Sequence, residues 1–163
     1  EKSAMHNIRS LLDFYINREK GQSNYVILQE YIEGAEEGDV RILMLNGNPI
    51  GALRRRPAKW DARSNISAGG TVEKYKLTKA DKILCSKIGE KLVRDGIYYA
   101  GLDLINGKLI EVNVMSPGGI TYMNKVYKTR IQVKVIDFVE DVVQEKSNAF
   151  NRKAKLRKTV EDA

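Results

Sequence analysis

Asp103, Glu111 and Asn113 are the residues of this chain best suited to chemistry, because they set three side-chain oxygens at odd positions of a stretch whose even positions are apolar. Leu102, Leu104, Ile110, Val112 and Val114 make up the even set. Strand side chains alternate between faces with period two, so one face of this segment packs and the other binds. Two carboxylates and an amide oxygen suit a hard cation. Mg²⁺, with Mn²⁺ as its substitute, takes a few oxygens from protein and completes its shell with water and substrate phosphates. The plainer alternative is a strand face whose acids are merely solvated.

For these three residues to share a face across the turn, an odd residue must pair with an odd residue. A two-residue loop at Asn106-Gly107 forbids that. A three-residue loop of Ile105, Asn106 and Gly107 allows it, with Leu104 opposite Lys108 and Gly107 left-handed in a G1 bulge. Ser116, Pro117, Gly118 and Gly119 come next, and paired glycines let backbone N–H groups approach a carboxylate or phosphate. The same four residues also read as an ordinary turn before a helix that starts near Thr121.

The elements that must position these groups read in order along the chain. Ile8, Leu11, Leu12 and Tyr15 stand at helical spacing, and residues 25–32 read as a strand. A strand over 39–45 turns at residues 46–49 into a strand over 50–55, and another follows around 70–77. Thr78 caps a helix that runs to residue 95, with Asp81 at its third position and Gly96 as its stop. Residues 132–146 form a second amphipathic helix, and the charged remainder to residue 163 is a solvated helical extension or a disordered tail. No internal repeat is present.

Taken together, these segments resemble a known family. Gly-Leu-Asp-Leu-Ile (101–105) and Glu-Val-Asn-Val-Met-Ser-Pro-Gly-Gly (111–119) are similar to the C-terminal half of the ATP-grasp domain of prokaryotic glutathione synthetase. So are Leu-Gln-Glu-Tyr-Ile (28–32), Gly-Asp-Val-Arg-Ile-Leu (38–43) and Arg-Ser-Asn-Ile-Ser-Ala-Gly-Gly (63–70). The segments cover about residues 24 to 145 in the family's order, which is more specific than any single motif.

The resemblance implies an ATP-grasp fold, an α+β domain with a mostly antiparallel sheet flanked by helices. Residues 1–32 would be the end of the smaller ATP-binding lobe, 33–146 the C-terminal lobe with the metal site, and 147–163 a charged tail. Asp103, Glu111 and Asn113 would hold Mg²⁺, with Glu111 bridging two ions. Gln29, Glu30, Tyr31 and Ile32 would lie beside adenine, and Asp39 near the nucleotide. Arg41, Arg63 and Asn65 would face phosphates or the acyl phosphate, and Arg55 and residues Ser116 to Gly119 the substrate.

The implied reaction is ATP-dependent. The C-terminal carboxylate of γ-glutamylcysteine attacks the γ-phosphate of ATP, and glycine displaces the resulting acyl phosphate to give glutathione, ADP and phosphate. Positioning and charge neutralisation suffice for such chemistry, so arginines and a metal are the expected apparatus, with no side-chain nucleophile. Another ATP-grasp ligase with a different acyl donor or acceptor is the runner-up. Family members carry more sequence upstream, including lysines and a glycine-rich lid, so a chain beginning at Glu1 is expected to be a fragment without activity of its own. The full-length protein is expected to be homo-oligomeric.

Composition sets broader bounds. With 163 residues, 42% of them hydrophobic and 30% charged, the chain supports a real core. Its single cysteine excludes an internal disulfide and fits the cytoplasm. No apolar run approaches the ~20 residues of a membrane span, so a membrane partner is not expected. A formal charge of +7 raises a nucleic-acid-binding module as a reading of a different class. Against it, the basic excess lies partly at residues 152–158, and the Arg54, Arg55, Arg56 run has no interleaved exposed aromatics. His6 lacks partners at ligand spacing, Cys85 shares a helix face with Ile88 and Leu92 as a buried thiol would, and Trp60 reads as a loop anchor.

Overall fold

Asn-Gly is the strongest short-range hairpin signal, and it occurs twice. In this computed structural model, which describes residues 2–16, 25, 27, 29–57 and 69–161 (the side chains of 2–7 and 158–161 excepted), both sites form hairpins. Strands β1 (Asp39–Leu45) and β2 (Asn48–Arg56) join through Asn46 and Gly47, both at positive φ. Strand β3 is Thr71–Lys74, helix α2 is Lys79–Arg94, and β4 (Tyr99–Ile105) and β5 (Lys108–Asn113) join through Asn106 and Gly107, again both at positive φ. Helices α3 (Ile120–Tyr127) and α4 (Ile131–Glu161) follow. The sheet is antiparallel throughout, in the order β3-β2-β1-β4-β5.

The expected three-residue loop at 105–107 is not what forms. Ile105 pairs with Lys108 and Leu104 with Leu109, which leaves a two-residue loop. A β-bulge then restores the parity: the register shifts between Asp103 and Leu104, Ile110 is the extra residue, and Asp103 pairs with Glu111 after all. The first hairpin follows the same plan. Leu45 pairs with Asn48, Met44 with Pro49 and Leu43 with Gly51, so Ile50 is its extra residue and the turn is shorter than the 46–49 expected.

One sheet face carries Val40, Ile42, Met44, Ala52, Ala100, Leu102 and Leu104, and α2 covers it with Cys85 and Leu92. Thr78 caps α2 in a capping box with Asp81, as its sequence predicts. A Cβ on Gly89 would lie 2.0 Å from the Gly47 carbonyl oxygen, so glycine lets α2 sit against the first hairpin's turn. The expected packing is incomplete at β5, an edge strand where Val112 remains 39% exposed.

The other face is divided along the strands. Toward one end Leu43 and Leu53 pack under Met123 and Ile131 from α3 and α4. The Tyr127 hydroxyl ties this layer down by donating to the Ala52 carbonyl at 2.7 Å and accepting from the Tyr75 amide at 2.9 Å. The opposite end carries the polar residues described below. Helix α4 runs unbroken through the charged stretch, 31 residues in all, so the helix expected over 132–146 is twice as long as its periodicity suggested.

Contacts divide the chain into Glu1–Tyr31 and Ile32–Ala163. The first unit contains α1 (Lys2–Ile16), on which Ile8, Leu11, Phe14 and Tyr15 are exposed. Of the strand expected over 25–32, residues 26 and 28 lie outside the described ones, and the described residues have no regular structure. Among the described residues no helix is long and apolar enough to cross a membrane.

Candidate functional site

Alternation along four adjacent strands builds the polar end of the sheet. Arg55 of β2 stands opposite Asp39 of β1, Arg41 of β1 opposite Asp103 of β4, and Asp103 opposite Glu111 of β5, with Asn113 next along the same face. Each of these three pairings is between cross-strand neighbours and joins groups of complementary or metal-binding type.

Asp103 is the hub. It is only 2% exposed, although it lies on the face expected to bind rather than to pack. Burying a lone carboxylate is costly, and two guanidinium groups offset that cost here. Arg41 donates through Nε to Asp103 Oδ1 and through Nη2 to Oδ2 at 2.7 Å, a bidentate pair. The Arg55 Nη2 lies 3.0 Å from the same Oδ2, and the Asn113 amide donates to it at 3.4 Å. Arg55 also forks onto Asp39, donating to both carboxylate oxygens at 2.6 Å.

The two carboxylates titrate in opposite directions for this reason. Burial pushes the Asp39 carboxyl up and the neighbouring Asp103 charge adds to this, so that the opposing guanidinium charges of Arg55 and Arg41 leave it raised. Burial opposes the Asp103 charge too, but Arg41 and Arg55 together outweigh it and hold that carboxyl below its ordinary range. Burial also works against the Arg55 charge, and the carboxylates of Asp39 and Asp103 more than compensate.

The loop after β5 closes over this network. Arg41 Nη1 donates to the Pro117 carbonyl, and Pro117 is buried. A Cβ on Gly101 would lie 2.9 Å from Pro117 Cβ and 3.2 Å from Arg41 Cδ, so glycine in mid-strand makes the room that loop and arginine occupy. Gly101 did not stand out as functional in the sequence, and Pro117 did so as part of the substrate loop rather than as a partner of Arg41; the glycine inside a strand was the available signal. Ser116, Gly118 and Gly119 all have positive φ, and Gly119 opens α3.

The structure thus brings together Asp39, Arg41, Arg55, Asp103, Glu111, Asn113 and the 116–119 loop. Arg54 and Arg56 turn to the other face, where Arg54 lies over the Tyr75 ring at 5.3 Å and Arg56 pairs with Glu73 at 2.8 Å. Arg63, Asn65 and Trp60 lie outside the described residues. Gln29, Glu30 and Tyr31 belong to the first unit, while the Ile32 carbonyl accepts from the Ala35 amide to open a turn of 3-10 helix, Ala35–Glu37, before β1.

The donor set fits a hard cation. Glu111 is exposed and pairs with no other described residue, it faces Asp103 across the strands, and Asn113 already touches Asp103. All three carry a side-chain oxygen. A cation bound there would take a place that a guanidinium holds on Asp103.

Comparison with known proteins agrees with this architecture. Residues 1–128 match the family model described as prokaryotic glutathione synthetase, ATP-grasp domain. The chain is 44% identical over 119 residues to a glutathione synthetase of Nostoc sp. (strain PCC 7120), covering 73% of this chain and 37% of that protein. It is 41% identical over 130 residues to a glutathione synthetase of Thermosynechococcus vestitus, covering 80% and 40%. The chain therefore spans about two fifths of the length of the curated relatives it matches. The fold is similar to that of a D-alanine–D-alanine ligase from Bacillus anthracis crystallised with ATP, at a TM-score of 0.56 and 14% identity over 86% of this chain and 48% of that one. This α+β chain belongs to the prokaryotic glutathione synthetase ATP-grasp family.

Proposed function

We propose that this member of the prokaryotic glutathione synthetase ATP-grasp family works, within a longer protein, as part of an ATP-dependent carboxylate–amine ligase that joins γ-glutamylcysteine to glycine. The observation that carries the proposal is the convergence, on one end of one sheet face, of three oxygen-bearing side chains and two arginines in a chain of this family.

Asp103, Glu111 and Asn113 would hold Mg²⁺, or Mn²⁺ in its place. Bound there, the ion would neutralise charge on the ATP phosphates. The other roles fall to the chain itself. Arg41, fixed between Asp103 and the Pro117 carbonyl, presents a permanent positive charge to the phosphoryl group. Arg55, oriented by Asp39, does the same for the anionic substrate. Backbone N–H groups around Gly118 and Gly119 would receive the acyl donor. Arg63 and Asn65 are assigned to the acyl phosphate, and Gln29 to Ile32 to adenine, on sequence resemblance alone.

We assign the full-length protein to the cytoplasm, as a homo-oligomer. The deciding experiment is ADP release by that protein with γ-glutamylcysteine plus glycine, set beside other donor and acceptor pairs. ADP release and a glutathione product only with the named pair is the expected result. Equal or greater turnover with another pair would transfer the proposal to a different ATP-grasp ligase, and no ATP-dependent ligation with any pair would end it.

A further inference from the structure

Four side-chain nitrogens already surround the Asp103 carboxylate. Arg41 Nε donates to Oδ1, while Oδ2 is the crowded oxygen, with Arg41 Nη2 at 2.7 Å, Arg55 Nη2 at 3.0 Å and Asn113 Nδ2 at 3.4 Å. An ionised carboxylate has about four lone-pair sites in all. A cation therefore reaches Oδ2 only where a nitrogen withdraws.

Arg55 is the group free to do so. Arg41 is buried and held by both Asp103 oxygens and by the Pro117 carbonyl. Arg55 is half-buried, and its main anchor lies elsewhere: Nε and Nη2 donate to the two Asp39 oxygens, each at 2.6 Å, so that fork holds the side chain when its one contact with Asp103 is lost. The Asn113 contact is long and neutral, and moving that residue away would remove a ligand rather than a competitor. Like charge gives the direction of the change, because a divalent cation on Asp103 repels a guanidinium 3.0 Å from the same oxygen. While Asp103 pairs with both arginines, neither offers its full charge to an incoming anion. We propose that Arg55 is a placeholder in the cation site: it yields Asp103 to a divalent cation, stays forked on Asp39, and turns the released Nη2 N–H toward the anionic substrate. Cation and anion then bind cooperatively with Arg55 as the link, a coupling that rests on the assignment of Asp103, Glu111 and Asn113 to a cation.

Crystals of the full-length protein grown without nucleotide, with and without Mn²⁺, read the exchange in the parent protein and need no variant to fold. With Mn²⁺ on Asp103, Arg55 Nη2 should stand more than about 4 Å from Oδ2, beyond ion-pair reach, and remain within hydrogen-bond distance of Asp39. Mn²⁺ titration followed by its paramagnetic resonance, again without nucleotide, reads the competition in solution. Arg55→Met should tighten Mn²⁺ by about tenfold or more, whereas Arg56→Met, which removes an equal charge from the other sheet face, should change it by less than about twofold. Calorimetry should show Mn²⁺ tightening γ-glutamylcysteine by about tenfold in the parent, and Arg55→Met should abolish that gain. Three results would each overturn the proposal and leave the cation site standing: Mn²⁺ on Asp103 with Arg55 still in contact, Arg55→Met binding Mn²⁺ no tighter than the parent, or a cation effect on γ-glutamylcysteine that is missing in the parent or survives the substitution. Mn²⁺ absent from Asp103 in the crystal, with Glu111→Gln binding Mn²⁺ as the parent does, would end the cation assignment and the exchange together.

Discussion

The two hairpins of this sheet are built alike and end differently. Each has an Asn-Gly turn with both residues at positive φ, and each has one extra isoleucine a short way into its second strand. Position for position, Leu43, Gly51 and Leu53 of the first correspond to Asp103, Glu111 and Asn113 of the second. Both sets point to the same sheet face. The first lies under Met123 and Ile131, and the second is left for Arg41, Arg55 and a ligand. An identical backbone device therefore serves packing in one place and charge in another, and the difference lies in three side chains and what α3 and α4 cover.

The sharpest way to test that division is to alter equivalent positions. In the full-length protein, Glu111→Gln or Asn113→Ala should lower turnover by about 10³-fold while leaving stability within about 0.5 kcal/mol, because neither side chain packs. Turnover assays beside thermal melts would read both, and near-normal turnover of the Glu111 variant would remove the metal assignment.

Arg41→Met should cost about 3–5 kcal/mol of stability, since it strips a buried carboxylate of its bidentate partner. Adding Asp103→Leu should recover much of that loss in urea unfolding, although the double variant should be inactive. If the single variant is as stable as the parent, the ion pair is not holding the polar end together.

Gly51→Ala, at the site equivalent to Glu111, should affect stability only, by ~1–3 kcal/mol. Its Cβ would meet Met123 Sδ at 2.8 Å and Ile131 Cδ1 at 3.0 Å, so the helical cover must shift. A fall in turnover at unchanged stability would show that the two hairpins are less separate in role than their packing indicates.

Cys85, on the face that α2 covers, sets the lower end of the scale. Burial pushes its thiol up to about 11. A thiol in the unfolded chain ionises near 8.5, so the associated stability is present in full below that pH and is lost as pH rises toward the folded value. At pH 8 a thiol-specific reagent should modify the unfolded chain readily and the native chain at least a hundredfold more slowly. Comparable rates would mean that the face is not closed.

Much of this molecule was legible from local pattern. Thr78, Asp81 and Gly96 bound α2 as helix chemistry requires, and the two Asn-Gly pairs marked the hairpins. The grouping of Asp103 with Glu111 and Asn113 was also legible, though not the means by which it arises. A three-residue loop and a two-residue loop followed by a bulge both move the register by one, so side-chain parity cannot distinguish them. The choice between a helical extension and a disordered tail after residue 146 was not legible either, because charged residues on a solvated helix carry little apolar period to mark its course, and the helical extension is what forms.

What the sequence by itself determined is the set of local elements, the parity of their side chains and the oxygen-rich character of one strand face. These follow from torsional preferences and alternation over a few residues. Only the tertiary structure decided that Asp103 is a buried hub, because its partners Arg41 and Arg55 come from strands far away in the chain, and β1 had to pair with β4 to bring them within reach. Nothing in the local pattern of residues 99–119 specifies that neighbour, since strand order is set by which faces α2, α3 and α4 can cover at once.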